Sequence, residues 1–202
     1  LKHHSVKAKS SLQSFNQINE DRKAPNIILS LKEGKDIALV SDAGTPLISD
    51  PGYKFIKHAR ESNIKVEPVP GCCALIAAIT SSGLPSDRFS FHGFLPRSAN
   101  KRINELKKIS DNEETLIFYE SVHRIQSTIE DMISVFGGNR PAVLCKEITK
   151  VHESFIGETL SDISIFFKKN EDKIKGEFTI VVQGSSAIEG IGEELDGVLR
   201  IL

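Results

Sequence analysis

The chemically useful residues of this chain collect where apolar runs stop. Ile37-Ala-Leu-Val40 gives way to Ser41-Asp-Ala-Gly-Thr-Pro-Leu-Ile-Ser-Asp-Pro-Gly52. Gly44, Pro46, Pro51 and Gly52 make that loop rigid and leave its backbone bare. It is longer than the ~2–6 residues of an ordinary βα connection. A bare loop at the carboxyl end of a strand is where open α/β sheets bind ligands. Leu116-Ile-Phe118 ends in Tyr119-Glu120-Ser121, with His123 and Arg124 just beyond, and Ala142-Val-Leu-Cys145 ends in Lys146-Glu147. Acid next to base at two strand ends is equipment for moving a proton and holding an anion. Lys175-Gly176-Glu177 precedes the last apolar run, Phe178–Val182, and its glycine suits a close approach.

Each of these has a plainer reading. Asp50 before Pro51 is a good helix start, and Asp42 serves equally as a turn cap. Glu120 and Arg124 stand at i, i+4, an ordinary helix pair worth tenths of a kcal/mol. Pro70-Gly71-Cys72-Cys73-Ala74 leaves room for a ligand near a helix N-terminus, and tight helix–sheet packing needs the same small residues. His92 in a strand is more often a satisfied histidine than a catalyst. Lys175-Gly176-Glu177 reads equally as a turn. Lys101, Arg102, Lys107 and Lys108 make one helix basic, which is usually a solvated face and is also the best phosphate-binding candidate.

The elements that must position these groups alternate. Strands are expected at 37–41, 64–69, 89–95, 115–120, 141–147, 153–158 and 177–182, and helices at 25–34, 52–62, 72–82, 99–109, 122–136 and 160–169. Val122, Ile125, Ile129, Met132 and Phe136 recur at helical spacing, and Gly137-Gly138 stops that helix. Alternating β and α units imply helix-covered, mostly parallel sheets. The runs at 141–147 and 153–158 lie too close for a helical crossover, so they pair antiparallel and make the second sheet mixed. The expected fold class is α/β: two αβα lobes with mostly parallel or mixed sheets. Residues 1–85 form the first lobe, 86–97 a linker strand, 98–183 the second lobe, and 184–202 a tail or the start of a small module.

With 202 residues and 39% hydrophobic content, the chain can bury one sizeable core or two small ones. A net charge of -1 excludes a global basic field, so any nucleic-acid contact must be a local basic face. Three cysteines give no disulfide framework, and adjacent Cys72-Cys73 lacks zinc-site spacing. His123 and His152 are not spaced as metal ligands, so no metal is expected. No apolar run of about 18 residues is present, and no segment reads as a secretion leader, so a cytoplasmic protein is expected.

The loop string Ser41–Gly52 resembles the signature loop of the tetrapyrrole-methylase superfamily. The likeness is closest to the ribosomal RNA small-subunit methyltransferase I family. It continues through Val69-Pro-Gly-Cys-Cys-Ala-Leu75, Phe91-His-Gly-Phe-Leu-Pro96 and Phe118-Tyr-Glu-Ser-Val-His-Arg-Ile125, then Lys146-Glu-Ile-Thr-Lys150, His152-Glu153 and Lys175-Gly-Glu-Phe178. Val122 stands where that family usually has proline, and Cys72-Cys73 where it usually has a small residue and serine. The family's first strand, glycine-bearing loop and a following acidic motif would precede Leu1, so the first lobe is expected to be incomplete.

The resemblance implies methyl transfer from S-adenosylmethionine to a ribose 2′-oxygen of a small-subunit (16S) ribosomal RNA cytidine. It implies a cofactor cleft between lobes, a homodimer, and the small ribosomal subunit as partner. Cofactor-binding positions are then Ala43, Gly44, Thr45, Ile48, Asp50, Pro70, Gly71, Cys72, Ala74, Phe94, Leu95 and Glu177. Glu120, Lys146, Glu147 and Arg124 are catalytic candidates, the first three competing to take the hydroxyl proton. Lys101, Arg102 and Arg124 are the RNA-binding candidates. Two other readings stand beside this one: a superfamily enzyme acting on a small molecule or protein, and a non-catalytic RNA- or partner-binding remnant.

Overall fold

The computed structural model describes residues 12–170 and 174–185. The chain forms two compact units, Leu1–Cys73 and Ala74–Leu202. The division falls ahead of the 86–97 segment expected to link the lobes. The small-residue helix α3 (Ala74–Ser81) is the reason, because it packs on the sheet of the second unit.

In the first unit, α1 (Glu20–Lys32) packs on α2 (Tyr53–Glu61). Ala24 and Ile28 meet Phe55 and Ala59, flanked by Phe15, Leu39 and Ile64. Helix α1 starts at Glu20 rather than Pro25, because Asn16 Oδ1 accepts the N–H groups of Ile18 and Asn19 and sets a turn just before it. The N-cap of α2 is Gly52, which offers no side chain. The missing cap comes from α1: buried Glu20 accepts the Phe55 N–H at 3.0 Å. The helix therefore begins two residues after Pro51, and Asp50 is not its cap.

Residues 37–41 and 64–69, expected as strands, form no ladder among the described residues. Apolar, β-branched sequence favours a strand only where a neighbouring strand receives it. Here Val40 is 62% and Val69 87% exposed.

The second unit holds a five-stranded sheet among the described residues. Its strands are β1 (Phe89–Phe94), β2 (Thr115–Ser121), β3 (Ala142–Lys146), β4 (Ser154–Ile156) and β5 (Glu177–Val182), in the order β1-β2-β5-β3-β4. β1 and β2 run parallel, joined through α4 (Ala99–Lys108), and every other pairing is antiparallel. The sheet is mixed, as the short β3–β4 connection requires. Leu116 and Phe118, Leu144, and Phe178, Ile180 and Val182 face one way. They pack on α5 (Ile125–Phe136) and α6 (Leu160–Lys169) through Ile125, Ile129, Met132, Leu160 and Ile163. Helix α3 lies against β2 and β5. Helix α5 starts three residues later than its apolar spacing suggests, since Ser121 O accepts the Arg124 N–H and turns the chain first. The expected tail module beyond Ser185 lies outside the described residues.

Helices α4 and α5 are joined by a buried ion pair. Arg102 is 3% exposed, and its Nε and Nη2 reach Asp131 Oδ2 at 2.7 and 2.6 Å. Removing one partner strands a buried charge, so Asp131→Ala should cost about 3–5 kcal/mol. The check is the urea midpoint by circular dichroism, with exposed Lys107→Ala expected within about 0.5 kcal/mol of wild type.

Candidate functional site

The first unit brings two of the expected ligand segments together. Thr45 Oγ1 donates to the Cys72 carbonyl at 2.9 Å, tying loop 41–52 to segment 70–72. The loop is held from within by Ser41 Oγ, which donates to the carbonyls of Ala43 and Gly44. Gly44 has φ 75°, and Leu47 and Ser49 also sit in the left-handed region. A Cβ on Gly44 would lie 3.6 Å from the Cys72 carbonyl, and one on Gly71 4.0 Å from Thr45 Oγ1. The two glycines thus keep the space between the segments free of side chains. Ala43, Gly44, Pro70, Gly71 and Cys72 are exposed around it, with Ile48 37% exposed and Asp50 half-buried. Such a bare, hydrogen-bonding edge fits the amino-acid end of a cofactor. Ala74, Phe94, Leu95 and Glu177 belong to the second unit. Phe94 is 55% exposed at the end of β1, whereas the Leu95 side chain is buried in the core.

In the second unit, Glu120 is not available as a base. It is 3% exposed, and every oxygen is engaged. Oε1 accepts from the Ser121 N–H at 2.7 Å and pairs with Arg124 Nη2 at 2.6 Å, while Oε2 accepts from Thr128 Oγ1 at 2.8 Å. Arg124 also donates through Nη1 to the Leu95 carbonyl at 3.0 Å. The pair holds the ends of β1 and β2 to the start of α5. Alternation carried the signal: Leu116, Phe118 and Glu120 share a strand face, and that face is the one α5 covers. Arg102, expected on an RNA face, is buried against Asp131, so it presents nothing to a phosphate. Lys101 remains exposed.

The rim beside β2 is built differently. Glu147 follows β3 with φ 50°, and Thr149 with φ 67°; both are non-glycine residues in the left-handed region, a strain found at functional loops. Glu147 Oε1 accepts from the Glu177 N–H at 2.8 Å and from Lys150 Nζ at 2.9 Å. Lys150 also pairs with Glu177 Oε2 at 3.0 Å. These bonds, Lys150 first, hold the Glu147 carboxyl below its ordinary range. Gly176 makes this possible, since any Cβ there would lie 2.5 Å from the Glu147 carboxyl carbon. Lys146 ends β3, opposite Phe178. Glu177 pairs in register with Ser121, so the polar ends of β2, β5 and β3 form one continuous rim.

Sequence reasoning missed Lys150, whose bridge to two carboxylates depends on the β3–β5 register, and Tyr119. The Tyr119 hydroxyl accepts the Leu75 N–H at 3.0 Å and so caps α3. Phe91 and Phe94 meet the Tyr119 ring edge-on at 4.8 and 5.9 Å. His92 bonds Ser90 and stacks on Phe118, and burial lowers its pKa, so it reads as a strand histidine. Buried Cys145 has its thiol pushed up to about 12, chiefly by burial.

A profile of the tetrapyrrole (corrin/porphyrin) methylases matches residues 2–164. The chain belongs to this family. A relative from Escherichia coli O157:H7, named ribosomal RNA small subunit methyltransferase I, is 44% identical over 189 residues, covering 94% of this chain and 65% of its own length. One of the same name from Pseudomonas aeruginosa is 43% identical over 194 residues, covering 95% of this chain and 69% of its own. The chain thus spans about two thirds of the length of these curated relatives. Among solved structures, diphthine synthase superposes with a TM-score of 0.64 at 16% identity, covering 85% of this chain and 68% of that one. Cobalt precorrin-4 methyltransferase gives 0.60 at 15% identity, covering 89% and 77%. These two likenesses establish the methylase fold of the chain. Among the described residues no helix is long and apolar enough to cross a membrane.

The two carboxylates should separate in mutagenesis. Glu120→Ala takes the carboxylate from the half-buried Arg124 guanidinium and the acceptor from buried Thr128, and should cost about 3–5 kcal/mol in urea unfolding. Glu147→Ala removes a partly solvated contact and should cost no more than about 1 kcal/mol. Equal losses would contradict the structural role of Glu120.

Proposed function

We propose that this chain is the greater part of a methyltransferase that uses S-adenosylmethionine to methylate a ribose 2′-hydroxyl. The proposed target is a cytidine of 16S ribosomal RNA within the small subunit, and the enzyme acts as a cytoplasmic homodimer. The observation that carries this reading is the 40–48% identity to relatives named ribosomal RNA small subunit methyltransferase I over most of the chain. The Thr45–Cys72 junction supports the cofactor part, because it holds two glycine-bearing segments open towards one space. A solved uroporphyrin-III C-methyltransferase from Thermus thermophilus, complexed with S-adenosylhomocysteine, shares the fold with a TM-score of 0.52.

S-adenosylmethionine, when bound, supplies an electrophilic methyl group for an in-line displacement. The chain's part is alignment and a place for the hydroxyl proton. Ala43, Gly44, Thr45, Ile48 and Asp50, with Pro70, Gly71 and Cys72, would hold the cofactor in the first unit. Ala74, Phe94, Leu95 and Glu177 would do so in the second. With Glu120 spent on Arg124, the proton acceptor falls to the Lys146–Glu147 corner. A carboxyl held below its ordinary range is a weak base, so Glu147 serves to fix Lys150 and Glu177. Lys146 is the proposed acceptor, taking the hydroxyl proton as the neutral amine after first giving up its own proton to solvent. Arg124 orients the rim through its bonds to Glu120 and the Leu95 carbonyl.

Thr45→Val keeps the shape and deletes the hydroxyl that joins the two segments. In the full-length protein it should weaken S-adenosylhomocysteine binding about threefold to tenfold by calorimetry, the worth of one hydrogen bond. Lys146→Met should abolish methyl transfer to small ribosomal subunits with cofactor affinity unchanged. Methylation of a tetrapyrrole or protein in place of RNA would favour another superfamily activity, and cofactor binding without transfer to any of these would favour a binding module.

A further inference from the structure

We infer that Arg97, supported by Lys101, is the phosphate-contacting group of the RNA face, in place of Arg102 and Arg124; the inference rests on the RNA reading above. The segment Leu95-Pro96-Arg97 leaves β1 and turns into α4. Its three consecutive carbonyls are all tied to the two internal guanidiniums. Arg124 Nη1 donates to Leu95 O at 3.0 Å, and Arg102 Nη1 lies 3.5 and 3.4 Å from Pro96 O and Arg97 O. Both arginines are in turn anchored on α5 and β2 by the carboxylates of Asp131 and Glu120. The backbone carrying Arg97 is therefore fixed before any ligand arrives, which lowers the ordering cost of a contact.

The same arrangement settles the local charge. Asp131 and Glu120, the carboxylates that hold the two arginines against this segment, are each spent on that internal pair. Glu130, one residue from Asp131, borders α6 beside Phe167 and Lys168. Arg97 and Lys101 are exposed at the carboxyl end of β1, and neither pairs with a carboxylate among the described residues. The opposite end of the unit is mixed: Arg88 pairs with Asp87 and Glu113, and Lys108 with Glu105. Helix α4 carries the chain from the first end to the second, so Lys107 lies at the mixed end. A net charge of -1 thus hides a cationic corner.

The test is filter binding of the full-length protein to isolated small ribosomal subunits, from about 50 to 200 mM KCl at fixed magnesium. Arg97→Ala should flatten the slope of log affinity against log salt by about 0.7–0.9, the release expected for one phosphate contact. Arg97→Lys should restore the slope, and Lys107→Ala, an equal change of charge at the far end of α4, should leave it unchanged. Thermal melting reports whether each variant is folded. A slope unaltered by Arg97→Ala, or equally flattened by Lys107→Ala, overturns the inference and leaves the proposed activity standing. If the wild-type protein binds small subunits no better than it binds double-stranded DNA, the RNA reading fails, and the assignment of Arg97 fails with it.

Discussion

Glu120 carries a carboxylate onto the covered face of the sheet, and the surrounding structure is arranged to answer it. Arg124 pairs with it, Thr128 and the Ser121 N–H fill its remaining acceptor positions, and the leftover guanidinium donor reaches the end of β1. Two strand ends and a helix start are set by one buried pair. Such pairs contribute little net stability against a hydrophobic substitute, but losing one partner is severe. The pair therefore acts mainly as a geometrical constraint: it ties the residue that follows β1 to the end of β2 and the start of α5. Arg102 and Asp131 repeat the device one step further along the chain.

The reading from sequence followed the backbone well where periodicity and covering helices agreed. Helices 53–61, 99–108 and 160–169, and all strands of the second unit, stand close to where their patterns put them. The antiparallel β3–β4 pair followed from loop length alone. Residues 37–41 and 64–69 were misread because a strand is a property of a pair, and one segment's composition does not contain its neighbour. The start of α2 was misread for a related reason, since its cap lies on Glu20, more than thirty residues upstream.

Residue types at strand ends were legible; their employment was not. Glu120 and Arg124 look like chemistry because acids and bases at such positions often are. Burial turns Glu120 inward onto Arg124 and Thr128, and strand parity was the available clue. Glu147 and Glu177 gain their relation from β-sheet register, with Gly176 clearing the space between them. Lys150 was hidden because one of its two partners, Glu177, comes from a strand far along the sequence. The glycines of the first-unit loop were easier to read, since a left-handed backbone leaves a direct mark on composition.

The place of β5 in the sheet has a consequence for biogenesis. It is the last described strand in the sequence, yet it lies between β2 and β3. A ribosome delivers the β1–β2 pair and the β3–β4 hairpin first, as two fragments with apolar edges and no direct pairing. The nascent sheet stays open until residues 177–182 emerge, and its contacts are then of long sequence separation, which slows closure. Until that moment the edges of β2 and β3 are open to strands from other chains. Synthesis arrested before residue 177 would leave two half-sheets, each a template for aggregation, rather than a smaller stable domain.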